Sequence, residues 1–186
     1  MIIDVHTIIT LSAFTGAGVA MGLGAIGAAI GEGYTAGEAN TAISRSPDIS
    51  GDIFKNMLVG QAVAESASIF ALVVAILMLF LDVPTDNLLK GAALFGAGLC
   101  MGFGAVGSGV GSGFPGGQAC LGISRQPAAA SRLTTGMLIG SAVCQTPAIF
   151  SMVIALMLIF MDFSHLPLAP TWAAILGAGL STGLAA

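Results

Sequence analysis

Glu65 lies in the middle of residues 59–80, a stretch that is otherwise apolar enough to sit inside a lipid bilayer. A charged side chain at the bilayer centre costs about 2.5 to 3.5 kcal/mol on insertion scales, so intramembrane acids usually serve an ion or a proton. A buried glutamate can also merely cap a neighbouring helix. We interpret Glu65 as the carboxylate that carries a translocated ion or proton.

The composition indicates the environment of this carboxylate. Hydrophobic residues make up 56% of the chain and charged residues 8%, whereas charged residues make up about 25% of a soluble domain. Four apolar segments, near 8–43, 52–81, 89–122 and 132–161, each exceed the roughly 20 residues that an α-helix needs to cross the hydrocarbon core. The sequence predicts an all-α membrane protein with four transmembrane helices.

The chain repeats itself at an offset of 80 residues. The glycine-rich segment 22–37 matches 102–117, and the same offset places Ser44-Arg-Ser-Pro47 on Ser124-Arg-Gln-Pro127. We therefore predict two tandem helical hairpins, at 1–87 and 88–166. The segment 177–186 resembles 96–105 at an offset of 81, and we interpret residues 167–186 as a vestigial tail that begins a third repeat and could lie at the membrane interface.

The two hairpins differ at the residues that could hold an ion. Gln145 occupies the position of Glu65 in the second hairpin, and Ser112 occupies the position of Glu32. An uncharged amide cannot exchange a proton or neutralise a cation as a carboxylate does. The sequence predicts one active site, in the first hairpin, and an inactive equivalent in the second.

The glycines also fit a dinucleotide-binding pattern, Gly-x-Gly-x-x-Gly, at 22–27 and 102–107. That pattern requires a preceding strand and a turn at a helix N-terminus, but these glycines lie within apolar helices. Small residues every three or four positions allow helix backbones to approach closely in lipid. We therefore reject nucleotide binding and predict that helices 1 and 3 pack tightly as an inner layer.

Charge placement predicts the orientation. Four of the five basic residues cluster at the two hairpin loops: Arg45, Lys55, Arg125 and Arg132. Acidic residues and histidines gather at the other end, near the termini and the 82–90 connection: Asp4, His6, Asp82, Asp86, Asp162 and His165. Because basic residues favour the cytoplasmic side, we expect cytoplasmic hairpin loops and termini on the opposite side.

Taken together, these motifs resemble a known family. The glycine-rich first helix, the Arg-x-Pro loops at 45–47 and 125–127 and the segment Gly60-Gln-Ala-Val-Ala-Glu-Ser66 resemble the c subunit, or proteolipid, of rotary ATP synthases. The doubled length resembles the V-type proteolipid, and the local sequence resembles bacterial sodium F-type enzymes. The resemblance implies a non-catalytic rotor subunit in the bacterial plasma membrane, in a ring of c subunits among membrane lipids that turns against a stator a subunit.

The resemblance also implies roles for particular residues. Arg45, Pro47, Arg125 and Pro127 would contact the foot of the central stalk, although positive-inside anchoring is an equally simple reason for each arginine. In sodium-type members a Ser or Thr follows the acid, the carbonyl two residues before the acid contributes, and the first helix donates a Gln. The matching positions in this chain are Ser66, Val63 and Glu32.

Helical geometry allows Glu32 to join Glu65. Glu32 lies 13 residues before Arg45 and Glu65 lies 14 residues after Gly51, so both lie about 20 Å from the loop at ~1.5 Å per residue. Two neighbouring acids rarely both stay ionised in a medium of low dielectric constant, so we expect one to hold a proton while the other binds Na⁺. Alternatively, Glu32 points to an interhelical water and only tunes Glu65.

Two departures from the sodium pattern keep a proton-carrying ring as the alternative. Phe70 stands where many sodium-type members have a tyrosine, and Ala67 stands where some have a hydroxyl. A small multidrug-type exchanger or a channel-forming proteolipid is a further alternative. Exchangers of that kind usually show inverted repeats, whereas two-helix repeats run parallel. The sequence contains no set of catalytic side chains on a soluble surface, so we expect no enzyme activity and no nucleic-acid partner.

Overall fold

The computed structural model describes residues 4–81, 87–163 and 165–185, which form five α-helices. Helices α1 (Val5–Arg45) and α2 (Ser50–Phe80) form the first hairpin, and α3 (Leu88–Arg125) and α4 (Ala130–Phe160) form the second. A further helix, α5 (Leu168–Ala185), follows. The first four are long and apolar enough to cross a membrane, which confirms the predicted fold class. The predicted tail residues are helical from Leu168 to Ala185.

The hairpin loops are built around their prolines. A proline disfavours the helical conformation at the residue before it, and Ser46 accordingly has φ −141° and ψ 70°. Helix α1 therefore ends at Arg45, a single 3₁₀ turn over Pro47–Ile49 reverses the chain, and α2 begins at Ser50. The second hairpin repeats this design, with Gln126 at φ −138° before the 3₁₀ turn Pro127–Ala129.

Contacts within the described chain define two compact units. The terminal unit comprises residues 1–24, 69–105 and 147–186, and the loop unit comprises residues 25–68 and 106–146. Within each unit α1 packs against α3 through glycines. A methyl group at Gly98 would lie 2.6 Å from the Gly16 Cα in the terminal unit, and one at Gly113 would lie 2.7 Å from the Gly31 carbonyl carbon in the loop unit.

These contacts explain why both helices are rich in glycine. Because lipid tails are as apolar as leucine, helices in a membrane associate by close packing of small residues rather than by the hydrophobic effect. Any side chain at Gly98 or Gly113 would push the two helices apart. The predicted close packing of helices 1 and 3 is confirmed within each unit.

Polar side chains add cross-links in the loop unit. Thr35 Oγ1 donates to the Gly113 carbonyl at 3.0 Å, which joins α1 to α3. Asn56 on α2 accepts from Thr134 Oγ1 on α4 at 3.0 Å and donates to Cys120 Sγ on α3 at 3.3 Å. Since these bonds together connect all four helices, the loop unit holds its buried side chains in fixed positions.

In the terminal unit, the buried Lys90 at the start of α3 donates to the carbonyl oxygens of Ile159 and Met161, where α4 ends. A cation near a helix C-terminus interacts favourably with the unpaired carbonyl groups there. Lys90 therefore fixes the end of α4. His6 and His165 are exposed, whereas Asp82 and Asp86, which the sequence predicts at this end, lie outside the described residues.

Candidate ion-binding site

Glu65 lies on α2 in the loop unit, and its side chain is exposed on the surface of the single chain. The predicted ligands Val63 and Ser66 lie on the same helix and are half-buried. The Ser66 hydroxyl, on the residue next to Glu65, donates to the Val63 carbonyl oxygen at 2.7 Å. A hydroxyl used in this way keeps its oxygen lone pairs available to a cation.

Glu32 lies on α1 in the same unit and is half-buried. It faces α2 near Gln61, which lies one helical turn before Glu65. Gln61 on α2 reaches the Glu32 backbone carbonyl with its Nε2 at 3.4 Å, and this contact links the two helices beside the acids. The loop unit therefore brings together two carboxylates, a hydroxyl and backbone carbonyl oxygens.

Gln145, the equivalent of Glu65 in the second hairpin, is in a different environment. Its side chain is only 8% exposed, and its Nε2 donates to the Val63 carbonyl at 2.8 Å and to Ser112 Oγ at 3.0 Å. Ser112 in turn donates to the Ser108 carbonyl at 2.6 Å. The two predicted inactive equivalents thus contact each other, in a hydrogen-bonded group that joins α2, α3 and α4.

The contact between Gln145 and Val63 is the feature that the sequence reasoning missed. The Val63 carbonyl accepts from both Ser66 and Gln145, and a carbonyl oxygen has two lone pairs. Val63 can therefore ligate a cation only if one of these donors moves away. The repeat offset gave no signal for this contact, because it maps position 145 onto position 65 and does not indicate which helices are neighbours.

The chemistry available at the site is that of hard oxygen ligands. Among the described residues, no three His, Cys, Asp or Glu side chains gather in a group that could hold a metal ion. A cation here would instead meet the Glu65 and Glu32 carboxylates, the Ser66 hydroxyl and backbone oxygens. Oxygen-only ligands suit hard cations rather than transition metals, and a carboxylate alone suffices for a proton.

The predicted stalk-contacting residues lie at the hairpin loops and are exposed; they are Arg45, Pro47, Arg125 and Pro127. Each arginine is the last residue of its helix, where a positive charge complements the negative end of the helix dipole. The loops are also tied together, since Ser46 Oγ donates to the Ser124 carbonyl at 3.1 Å. The two loops therefore present a joint basic surface.

Comparison with known proteins gives a family match for each hairpin. The family of ATP synthase c subunits matches residues 15–78 and again residues 95–158, so the two matched segments begin 80 residues apart. The ATP synthase c subunit of Natranaerobius thermophilus is 46% identical over 78 residues, which cover 42% of this chain and 90% of that protein. That of Petrotoga mobilis is 47% identical over 70 residues, 38% of this chain and 73% of that protein. That of Dehalococcoides mccartyi is 53% identical over 64 residues, 34% of this chain and 84% of that protein.

Proposed function

The chain belongs to the family of ATP synthase c subunits, in duplicated form, and we propose that it carries Na⁺ on Glu65 as its ring turns. As a family member it is a non-catalytic rotor component of a c-ring within an ATP synthase, and ATP chemistry belongs to other subunits. This membership removes the exchanger and channel alternatives.

The pairing of Glu32 with Glu65 is the observation that carries the Na⁺ proposal. Two carboxylates on neighbouring helices, which Gln61 links through the Glu32 carbonyl, carry two negative charges at bilayer depth, which is costly unless they are neutralised. One proton on Glu32 and one Na⁺ on Glu65 neutralise both groups. Ser66 supplies a further oxygen, and Val63 joins the ligands when the Gln145 amide releases its carbonyl.

A proton-carrying ring is the second candidate, and two side chains favour it. The side chains of Ala67 and Phe70 contain no oxygen, so neither can hold a cation or order a water beside Glu65. In this alternative Glu65 alone carries one proton and Glu32 adjusts its acidity. The two alternatives differ in whether Na⁺ competes with protonation of Glu65.

Competition with a carbodiimide, which reacts with protonated buried carboxyls, separates the two ions. For the purified ring in detergent, we expect Na⁺ to slow labelling of Glu65 in a concentration-dependent manner, and K⁺ at equal ionic strength to have no such effect. Glu65→Gln is the matched control, because it keeps the shape and removes the reactive group. Labelling at the same rate with and without Na⁺ would establish the proton alternative.

The remaining assignments follow the same proposal. Each chain carries one ion, because Gln145 is neutral and its amide hydrogens are already used. The ring lies in a bacterial plasma membrane with its hairpin loops in the cytoplasm. There the basic surface formed by Arg45 and Arg125 contacts the central stalk, and Glu65 faces the stator a subunit once per turn.

A further inference from the structure

Helix α5 packs against α3 within the terminal unit through its glycines. A methyl group at Gly179 would lie 2.8 Å from the Gly96 carbonyl carbon, and one at Gly183 would lie 2.8 Å from the Cys100 carbonyl oxygen and 3.1 Å from the Leu99 carbonyl oxygen. In the opposite direction, a methyl group at Gly96 would meet Ile175 O at 3.5 Å. The two helices are therefore in backbone contact.

This contact has the same register as the contact of α3 with α1. Gly98 of α3 lies against Gly16, and Gly102 lies 3.0 Å from Val19 O when given a methyl group. An offset of 81 takes each α3 residue to α5, and an offset of 80 takes each α1 residue to α3. Applied to the two pairs above, these offsets give Gly179 with Gly96 and Gly183 with Leu99, which are contacts that α5 makes with α3. Helix α5 thus packs on α3 as α3 packs on α1.

Each of these helices has two glycine faces in the terminal unit. The docking face, through which a helix packs on the preceding one, contains the pairs Gly98 and Gly102 on α3, Gly179 and Gly183 on α5, and Gly18 and Gly22 on α1. The receiving face, on which the following helix packs, contains Gly16 on α1, Gly96 on α3 and Gly177 on α5. Both faces of α3 are occupied, by α1 and α5.

The two faces at the ends of this series are open. Among the residues that the structure describes, a methyl group at Gly18, Gly22 or Gly177 would meet no atom within 4 Å. The docking face of α1 and the receiving face of α5 are therefore complementary and unpartnered. An interface between two different faces of the same chain is head-to-tail, and it generates a closed ring when the rotation permits.

We propose that α5 is an inner helix of the ring and that α1 of the next copy of this chain docks on α5 rather than on α3. The contact places Gly18 and Gly22 of the next copy against the receiving face at Gly177. Docking on α3 instead would require α5 to give up its contacts with Gly96 and Leu99. The proposal rests on the ring membership of the chain and is independent of the ion that Glu65 carries.

Paired cysteines test which helix receives the next α1. The Cβ of a residue at Gly96 would lie 3.7 Å from the Leu176 Cα. The two Cα atoms are therefore at most about 5.2 Å apart, below the roughly 6.8 Å limit for a disulfide. The repeat offsets place the equivalent pair at Gly177 and Thr15 of the next copy. After oxidation of the assembled ring by copper phenanthroline, we expect Thr15→Cys with Gly177→Cys to give disulfide-linked dimers and higher multimers. Thr15→Cys with Gly96→Cys should give several-fold fewer.

The reverse result would mean that α1 of the next copy displaces α5 from α3, and it would overturn the proposal. Cross-linking of neither pair would also overturn it, because α1 would then not dock at either face. Two kinds of control accompany the test. The single variants Thr15→Cys, Gly177→Cys and Gly96→Cys report reaction with the native cysteines, and Gly96→Cys with Leu176→Cys reports by an intramolecular disulfide that α5 is seated. Cross-linking measures the assembly of the ring and requires no bound ion. A negative result here would therefore leave the carbodiimide test of Na⁺ binding unaffected.

Discussion

Replacement of Gln145 by glutamate tests why the second hairpin is inactive. The wild-type amide donates two hydrogen bonds, to the Val63 carbonyl and to Ser112 Oγ. An ionised carboxylate has no donor for either partner, and it places a negative charge beside the Val63 carbonyl oxygen. Gln145→Glu therefore changes one buried group from a double donor into an acceptor that faces the Val63 carbonyl oxygen, and the Ser112 hydroxyl can donate to it only by giving up its bond to Ser108.

The cost of this change follows from the two lost contacts. Val63 keeps its bond from Ser66 and Ser112 keeps its bond to Ser108, so each lost contact costs the net value of one hydrogen bond, about 0.5 to 1.5 kcal/mol, and the ionised form loses about 1 to 3 kcal/mol for the two. A protonated carboxyl regains one donor, toward Val63, and loses about half as much. A bound cation between the carboxylate and the Val63 carbonyl would likewise replace the amide donor to Val63. The introduced group is therefore stable only when it is protonated or bound to a cation.

Carbodiimide labelling with intact-mass counting, followed by fragmentation to locate the label, measures the outcome. In the wild-type chain we expect a label at position 65 and none at position 145. In Gln145→Glu we expect labels at both positions. Thr146 stands where Ser66 stands, so if its hydroxyl serves the new site, Na⁺ protects both positions. The control combines Gln145→Glu with Glu65→Gln and should label at position 145 only. A folded variant whose position 145 stays unlabelled at every pH would refute this reasoning.

Three further variants test the site and the packing. Glu65→Gln should abolish ATP-driven ion transport by reconstituted rings made of this chain while SDS-resistant rings still form; transport at the wild-type rate would contradict the assignment of Glu65. Glu32→Gln removes the neighbouring carboxylate and should change the pH dependence of ion binding, measured as Na⁺ protection across pH, and an unchanged profile would place Glu32 outside the site. Gly113→Ala should destabilise the protein by about 1 to 3 kcal/mol in SDS unfolding titrations, because a methyl group there collides with Gly31. Gly33→Ala, which meets no atom within 4 Å, is its control, and equal destabilisation by both would refute the packing argument.

The main features of the fold could be predicted because they depend on properties that repeat along the chain. Apolar length sets the four long helices, and a proline at position 47 or 127 disfavours helix at the residue before it. The predicted segment 8–43 is observed as Val5–Arg45. The observed helix is longer because polar residues at its ends lower the hydropathy but still form helical hydrogen bonds.

The contacts that sequence reasoning missed depend on which helices are neighbours. Periodicity assigns Val63 a place on α2 but does not indicate that Gln145 of α4 donates to its carbonyl. In the same way, the repeat at 177–186 shows that α5 is similar in sequence to α3. It does not indicate that α5 packs on α3 in the register in which α3 packs on α1. Such contacts arise from packing between repeats, which one repeat alone does not encode.

The duplication changes the energetics of the proposed rotor. With Glu65 as the one ion-carrying carboxylate per chain and Gln145 neutral, four helices carry one ion where two single hairpins carry two. In a ring with the same number of hairpins, a full turn then moves half as many ions for the same number of nucleotides, so hydrolysis supplies each ion with twice the free energy. Since one charge moved against 100 mV costs about 2.3 kcal/mol, a ring built from this chain can pump against twice the membrane potential. For the same reason it needs a steeper ion gradient before it can make ATP, so the loss of the second carboxylate favours ion pumping over synthesis.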